Sequence, residues 1–266
     1  MSGLVMAGIT DPGMVRDRNE DALIIRPERG LAVLADGMGG HQAGEVASAM
    51  AIDVIDRSIG EALDTASAKT GGREQRSAAT IVTDAIQQAN AAIYEQARTR
   101  AECSGMGTTV VVALFIDSRV CIAHVGDSRL YRYRGQHLEQ LTEDHSMVQE
   151  LLRRGLLSPE EARTSVNKNL VTRALGVEPH VQIDVCEQAV RKEDLYLLCS
   201  DGLSDVLPDS DIELLLQAFG ENLDEAARQI ITEVNSKGGP DNISVVLVRA
   251  GKRFTRHRTR SGRDGS

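Results

Sequence analysis

The chain is punctuated by short apolar runs that stop abruptly at acidic residues. Residues 31–35 are continuously apolar and end at Asp36, Arg119–Val125 ends at Gly126-Asp127, and Leu195–Cys199 ends at Ser200-Asp201. Runs of this length without helical spacing predict strands buried on both faces. Residues 5–9, 22–25, 108–116, 130–134 and 243–249 add further strands, with Asp117-Ser118 and Gly126-Asp127-Ser128 as turns of a meander. Helical spacing appears in two pairs. Over 44–63, Val46, Met50 and Val54 recur every four residues; after a polar, Gly-containing loop at 64–77, Ile81, Ala85, Ala89 and Ile93 share one face. The second pair is expected at 211–218 and 223–236.

Strands in runs and helices in pairs predict an α+β fold rather than a doubly wound parallel sheet. Strands apolar on both faces need cover on both sides, so a β-sandwich of two antiparallel sheets flanked by helix pairs is expected. One folded domain is read over 1–251. It carries an insertion at about 142–176, where Ser158-Pro159-Glu160-Glu161 has the signature of a helix start. Long insertions beside a site often face the substrate as flaps.

Charge refines the picture. Of the net −9, the tail 252–266 contributes +5 through six Lys/Arg against one Asp, which leaves the body at −14. The tail reads as a solvated, disordered end. An acidic body with 3% aromatic residues and no Trp argues against nucleic-acid binding. Cys103, Cys121, Cys186 and Cys199 form no CxxC pair, which argues against a zinc or disulfide framework. No window approaches the ~20 apolar residues of a membrane span, and no signal peptide is visible, so a cytoplasmic protein is expected.

Five acidic motifs carry the chemistry: Arg16-Asp17-Arg18-Asn19-Glu20-Asp21, Asp36-Gly37-Met38-Gly39-Gly40-His41, Gly126-Asp127-Ser128-Arg129, Ser200-Asp201-Gly202 and Gly239-Pro240-Asp241-Asn242. If the fold gathers these strand ends, uncompensated carboxylates ~4 Å apart repel by roughly 4 kcal/mol at an effective dielectric near 20. Hard divalent cations remove that cost, and an all-oxygen set selects Mg²⁺ or Mn²⁺ over zinc.

In this order, the motifs resemble the metal-dependent Ser/Thr protein phosphatases of the PPM group, also called type 2C, most closely their bacterial members. The resemblance runs from about Gly8 to Arg249. It implies a sandwich flanked by helices and two Mn²⁺ or Mg²⁺ ions. Asp36 would bridge them with the Gly37 carbonyl beside it, Asp201 and Asp241 would complete the first ion's shell, Glu20 would hold the second, and Asp21 would lie in the outer shell. Arg16 resembles the phosphate-binding Arg, whose guanidinium fork matches two phosphate oxygens. Asp127 resembles the ligand of a third, weaker metal shared with Asp201; hydrogen bonding within a hairpin turn is the competing account. Arg129 is expected as an ion-pair partner.

Many eukaryotic relatives carry His directly after the metal-binding Asp-Gly; here Met38 stands there and cannot donate a proton. His41 is the substitute candidate for general acid, against a role confined to loop hydrogen bonding. His124 is expected in the core and His145 in a structural role.

The resemblance implies hydrolysis of phosphoserine and phosphothreonine in proteins, opposing a bacterial Ser/Thr kinase, by a monomer. The alternatives are a phosphoprotein-binding pseudophosphatase and a metal-dependent phosphodiesterase.

Overall fold

A computed structural model describes residues 3–40, 43–68, 76–158, 161, 170–251 and 254. Eleven strands appear among them: β1 Leu4–Asp11, β2 Asp21–Arg26, β3 Leu31–Met38, β4 Gly107–Thr108, β5 Val110–Ile116, β6 Arg119–Val125, β7 Arg129–Arg134, β8 His137–Gln140, β9 Asp184–Ala189, β10 Leu195–Cys199 and β11 Ile243–Ala250. The described helices are α1 Ala43–Ala68, α2 Ala78–Thr99, α3 Met147–Arg153, α4 Asp201–Ser204, α5 Asp209–Phe219 and α6 Leu223–Ser236.

The strands form two antiparallel sheets, ordered β1-β11-β10-β7-β8 and β2-β3-β5-β6-β9, with β4 paired to β3. Period-two side-chain alternation gives each inner strand two buried faces. In β3, Leu31, Val33 and Ala35 pack against α1 and α2, whereas Ala32 and Leu34 face the opposite sheet. In β11, Ile243, Val245 and Leu247 pack under α5 and α6, while Val246, Val248 and Ala250 join the layer between sheets. A one-residue slip would exchange these faces, so burial on both sides pins the register. The expected sandwich with a helix pair outside each sheet is what the chain forms.

Several expectations need correction. α1 continues through 64–68, which the sequence reading places in a loop. The expected strand 108–116 is two strands, because the ladder lapses at Thr109: its N–H donates to Asp36 O at 2.8 Å, but the return bond from Asp36 N goes to its Oγ1 at 3.2 Å. β8, β9 and α3 were not anticipated. β8 follows a Gly135-Gln136 turn with φ of 58° and 65°, and the Asp117-Ser118 turn has φ of 49° and 62°; such paired positive values suit two-residue hairpins.

In the insertion, Ser158 Oγ accepts from Glu161 N at 3.2 Å and Ser158 N donates to Glu161 Oε2 at 2.8 Å, the reciprocal cap expected there. Pro159 lies outside the described residues. So does the tail, except Phe254, which packs edge-on against Phe115 with ring centroids 6.1 Å apart. The four cysteines are unpaired, and no described helix is long and apolar enough to cross a membrane.

Candidate metal centre

Both sheets deliver acidic strand ends to one edge of the sandwich. In the first ladder Asp21 opens β2 directly opposite Asp36 near the end of β3. In the other sheet Asp201 follows β10 after Ser200, and Asp241 immediately precedes Asn242 and β11. The Gly126–Ser128 turn carries the chain from β6 in one sheet to β7 in the other and adds Asp127. Asp21 and Asp127 are buried; Glu20, Asp36, Asp201 and Asp241 are half-buried.

This crowding is written in the acidities. Burial, then Asp127, Asp205, Asp241 and Asp21, pushes Asp201 up to about 8. Burial first, and then Asp21, Asp201, Asp127 and Asp241, holds Asp36 well above the usual carboxylate range. Burial raises Asp21 and Asp127 to about 6, and raises Glu20 as well. Asp21 Oδ2 accepts from Ser200 Oγ at 2.8 Å, but its buried Oδ1 has no hydrogen-bond partner. Oxygen donors that resist ionisation together, with one buried lone pair unsatisfied, fit hard divalent cations.

The surrounding backbone is tightly determined. Asp36 N donates to Thr109 Oγ1 at 3.2 Å, and Thr108 Oγ1 donates to Asp36 O at 2.8 Å. Thr109 Oγ1 also lies 2.7 Å from Ser128 Oγ, which links the Asp36 strand to the Asp127 turn. Glu20 N donates to Asn242 Oδ1 at 2.8 Å, and Asn242 Nδ2 donates to Pro12 O and Arg18 O at 3.0 and 2.8 Å. A Cβ on Gly37 would stand 2.1 Å from Gly44 O, and one on Gly44 would stand 2.8 Å from the Glu20 carboxyl carbon. Only glycine at both positions lets the start of α1 close over Glu20.

Arg16 lies at the rim, its Nη2 2.7 Å from Asp241 Oδ2. Thus the fold brings together Arg16, Glu20, Asp21, Asp36, Gly37, Asp127, Asp201 and Asp241. His41 lies outside the described residues. Sequence reasoning missed Asp205, whose charge acts on both Asp127 and Asp201; its spacing of four from Asp201 was the available signal. It also missed Thr108, Thr109 and Asn242 as supports. Arg129 does form the expected ion pair, gripping Asp144 through Nε and Nη2 at 2.9 and 2.6 Å.

A tighter set of ligand-type atoms lies elsewhere: those of His124, His145 and Asp184 fall within 4.8 Å of one another. Hydrogen bonding argues against a metal there. His145 Nδ1 accepts the Gly126 N–H at 3.1 Å, so the neutral ring carries its proton on Nε2, the nitrogen 3.3 Å from Asp184 Oδ2. A protonated nitrogen has no lone pair for a metal. The cation beside Asp184 is already Arg173, with Nη1 2.9 Å from Oδ1.

Comparison with known proteins agrees with this architecture. The Ser/Thr phosphatase stp of Listeria monocytogenes is 41% identical over 260 residues, 97% of this chain and 98% of that protein. The Mycobacterium tuberculosis phosphatase PstP/Ppp superposes with a TM-score of 0.80 at 36% identity, over 93% of this chain and 99% of the solved one. A structure of the PstP catalytic domain in complex with two manganese ions gives a TM-score of 0.78 at 36% identity, over 93% and 98% of the chains. Residues 15–237 match the family described as protein phosphatase 2C. Sandwich, acidic edge and sequence agree, and the chain belongs to the protein phosphatase 2C family.

Proposed function

We propose that this chain is a metal-dependent protein phosphatase that hydrolyses phosphoserine and phosphothreonine monoesters in proteins. The observation that carries the reading is the convergence of carboxylates from both sheets on one edge, with Arg16 on the rim. Its relatives' names supply the phosphoprotein substrate class.

The carboxylates fall into natural groups. Asp36 lies in the electrostatic field of Asp21, Asp127, Asp201 and Asp241, as suits a ligand shared by two cations. Asp201 and Asp241 would help hold one ion, and Glu20, folded against Gly44, would hold the other, with the Gly37 carbonyl beside Asp36. Asp21, hydrogen-bonded to Ser200, orients the set from behind, and Asp127 with Asp201 offers a weaker third position. Bound Mn²⁺ or Mg²⁺, two per site, would supply an activated water and offset the phosphate charge. Arg16 binds two phosphate oxygens and sets the ester's orientation. His41, three residues beyond Met38, delivers a proton to the departing Ser or Thr oxygen.

The 142–176 insertion is a flap that meets the protein part of the substrate, on a single domain spanning 1–251. Its partners are phosphorylated proteins and the Ser/Thr kinase it opposes, and it works as a cytoplasmic monomer.

The test is hydrolysis of a phosphothreonine peptide and p-nitrophenyl phosphate by the purified chain. Turnover with Mn²⁺, weaker turnover with Mg²⁺ and none with EDTA are expected. Activity that survives exhaustive chelation, or a preference for phosphodiesters, overturns the reading; phosphopeptide binding without turnover makes the chain a pseudophosphatase.

A further inference from the structure

The cluster around His145 bears on the metal centre in another way. His145 is buried at the start of the insertion, and it holds Gly126 at two points. Its N–H donates to Gly126 O at 3.0 Å, while its Nδ1 accepts the Gly126 N–H at 3.1 Å. The result imitates a pair of ladder hydrogen bonds, with one acceptor supplied by a side chain. Gly126 has little room to choose another shape: its φ is +105°, and a Cβ there would stand 2.6 Å from Thr109 Cβ. The next residue is Asp127.

The other ring nitrogen faces Asp184 and Arg173. Nε2 lies 3.3 Å from Asp184 Oδ2, and Arg173 Nη1 is 3.1 Å from the same nitrogen and 2.9 Å from Asp184 Oδ1. Arg173 belongs to the returning limb of the insertion, where Thr172 N donates to His145 O at 2.7 Å. His124 stacks on the ring with centroids 4.5 Å apart and an interplanar angle of 24°. The Nε2 of His124 is 2.9 Å from Glu143 O, so the ring stacked on one face of His145 is itself held in place.

We propose that His145 is a positioning residue, whose Nδ1 holds the Gly126–Asp127 turn at the metal centre and whose Nε2 ties that turn through Asp184 to the returning limb of the insertion. The proposal rests on the reading of Asp127 as a metal-facing carboxylate. A histidine that merely filled core space would need no acceptor aimed at the Gly126 amide. Here Asp184 and the two ring nitrogens link Arg173 to the Gly126 amide through three polar contacts, a path by which displacement of the 170–173 segment reaches Asp127.

Asparagine and glutamine separate the two halves of the ring. Asn places an amide oxygen near the position of Nδ1, whereas Gln reaches toward that of Nε2. In the metal-free full chain, His145→Asn should leave exchange of the Gly126 amide near the wild-type rate, and His145→Gln should speed it by about tenfold. With Mn²⁺ added, the weaker class of bound ions, counted by electron paramagnetic resonance, should lose affinity several-fold in His145→Gln and keep it in His145→Asn. Equal behaviour of the two variants on Gly126 exchange overturns the proposal. Nitrogen NMR of the wild-type ring supplies a check that needs no substitution: a proton on Nε2 and a bare Nδ1 are expected, and the opposite tautomer overturns it. Asp127→Asn is the control for the underlying reading. If it leaves the weaker Mn²⁺ class unchanged, the assignment of Asp127 is what fails, while Gly126 exchange still decides the role of His145.

Discussion

Arg16 and Asp241 are bonded to one another across the rim, Nη2 to Oδ2 at 2.7 Å, although the sequence reading gives one to phosphate and the other to metal. With Asp241 as a metal ligand and Arg16 as the phosphate clamp, the roles proposed above, the guanidinium would compete with cations for Asp241 until phosphate drew it away. Arg16→Ala should raise KM for p-nitrophenyl phosphate several-fold with a smaller loss in kcat, and should also tighten Mn²⁺ binding. Steady-state kinetics and Mn²⁺ titration calorimetry check both; unchanged KM would make Arg16 a purely structural partner of Asp241. Arg16→Lys should recover only part of the KM loss, because an ammonium lacks the two-pronged geometry.

Asp36→Asn keeps the shape of the side chain but removes a group that burial and the other carboxylates hold back from ionising. Without metal the variant should melt higher than wild type, and Mn²⁺ should raise its melting temperature less. Turnover should drop far more than tenfold, beyond ~1.4 kcal/mol of lost transition-state stabilisation. Thermal melts with and without Mn²⁺, alongside initial rates, test it.

Acidity offers a third check. Unfolded aspartates release their proton near ~3.9, but Asp201 holds its proton up to about 8 in the folded chain and Asp36 is raised as well. The folded, metal-free protein thus keeps protons that the unfolded chain has lost, and its stability falls as pH rises through that interval, levelling off above the folded values. His124 and His145 act oppositely. Burial lowers both, His145 to about 4, so they take stability away only as pH drops below the ordinary histidine value of about 6.5. From about pH 6.5 to 8 the carboxylates dominate. In EDTA the melting temperature should decline across this window, Mn²⁺ should remove the decline, and Asp201→Asn should flatten it.

Asn242 anchors the 12–20 loop through one acceptor and two donors. Asn242→Ala leaves Glu20 N and two carbonyl oxygens without those partners, a loss of roughly 2–3 kcal/mol for buried groups. Urea unfolding should register it, and the affinity of the site served by Glu20 should weaken. A stability loss without any change in Mn²⁺ affinity would confine Asn242 to a structural role.

The strongly apolar strands were the legible part of the fold. Arg119–Val125 and Leu195–Cys199 follow their apolar runs because burial on both faces leaves only one register. β8 escaped notice because Leu138 is its only buried residue, and β9 because it is an edge strand whose burial alternates along DVCEQA. In the site, the motif carboxylates could be read in sequence, since Asp36, Asp127 and Asp201 follow apolar runs and Glu20, Asp21 and Asp241 precede them. Thr109 and Asn242 could not, because their partners lie 73 and 222 residues away. The Nδ1 contact of His145 likewise exists only once the 126 turn and the insertion have met.

The passage of β6 into β7 has a consequence for how this molecule matures and fails. Asp21 and Asp36 belong to one sheet, Asp201 and Asp241 flank strands of the other, and Asp127 sits on the bridge between them. No folding intermediate with one sheet formed can own all of these carboxylates, so on the proposed reading the nascent chain should stay inert until its two halves have docked. The same arrangement makes turnover a sensitive gauge of that docking. A lesion between the sheets, at Leu34 or Val246, should silence the protein while its circular dichroism still looks native.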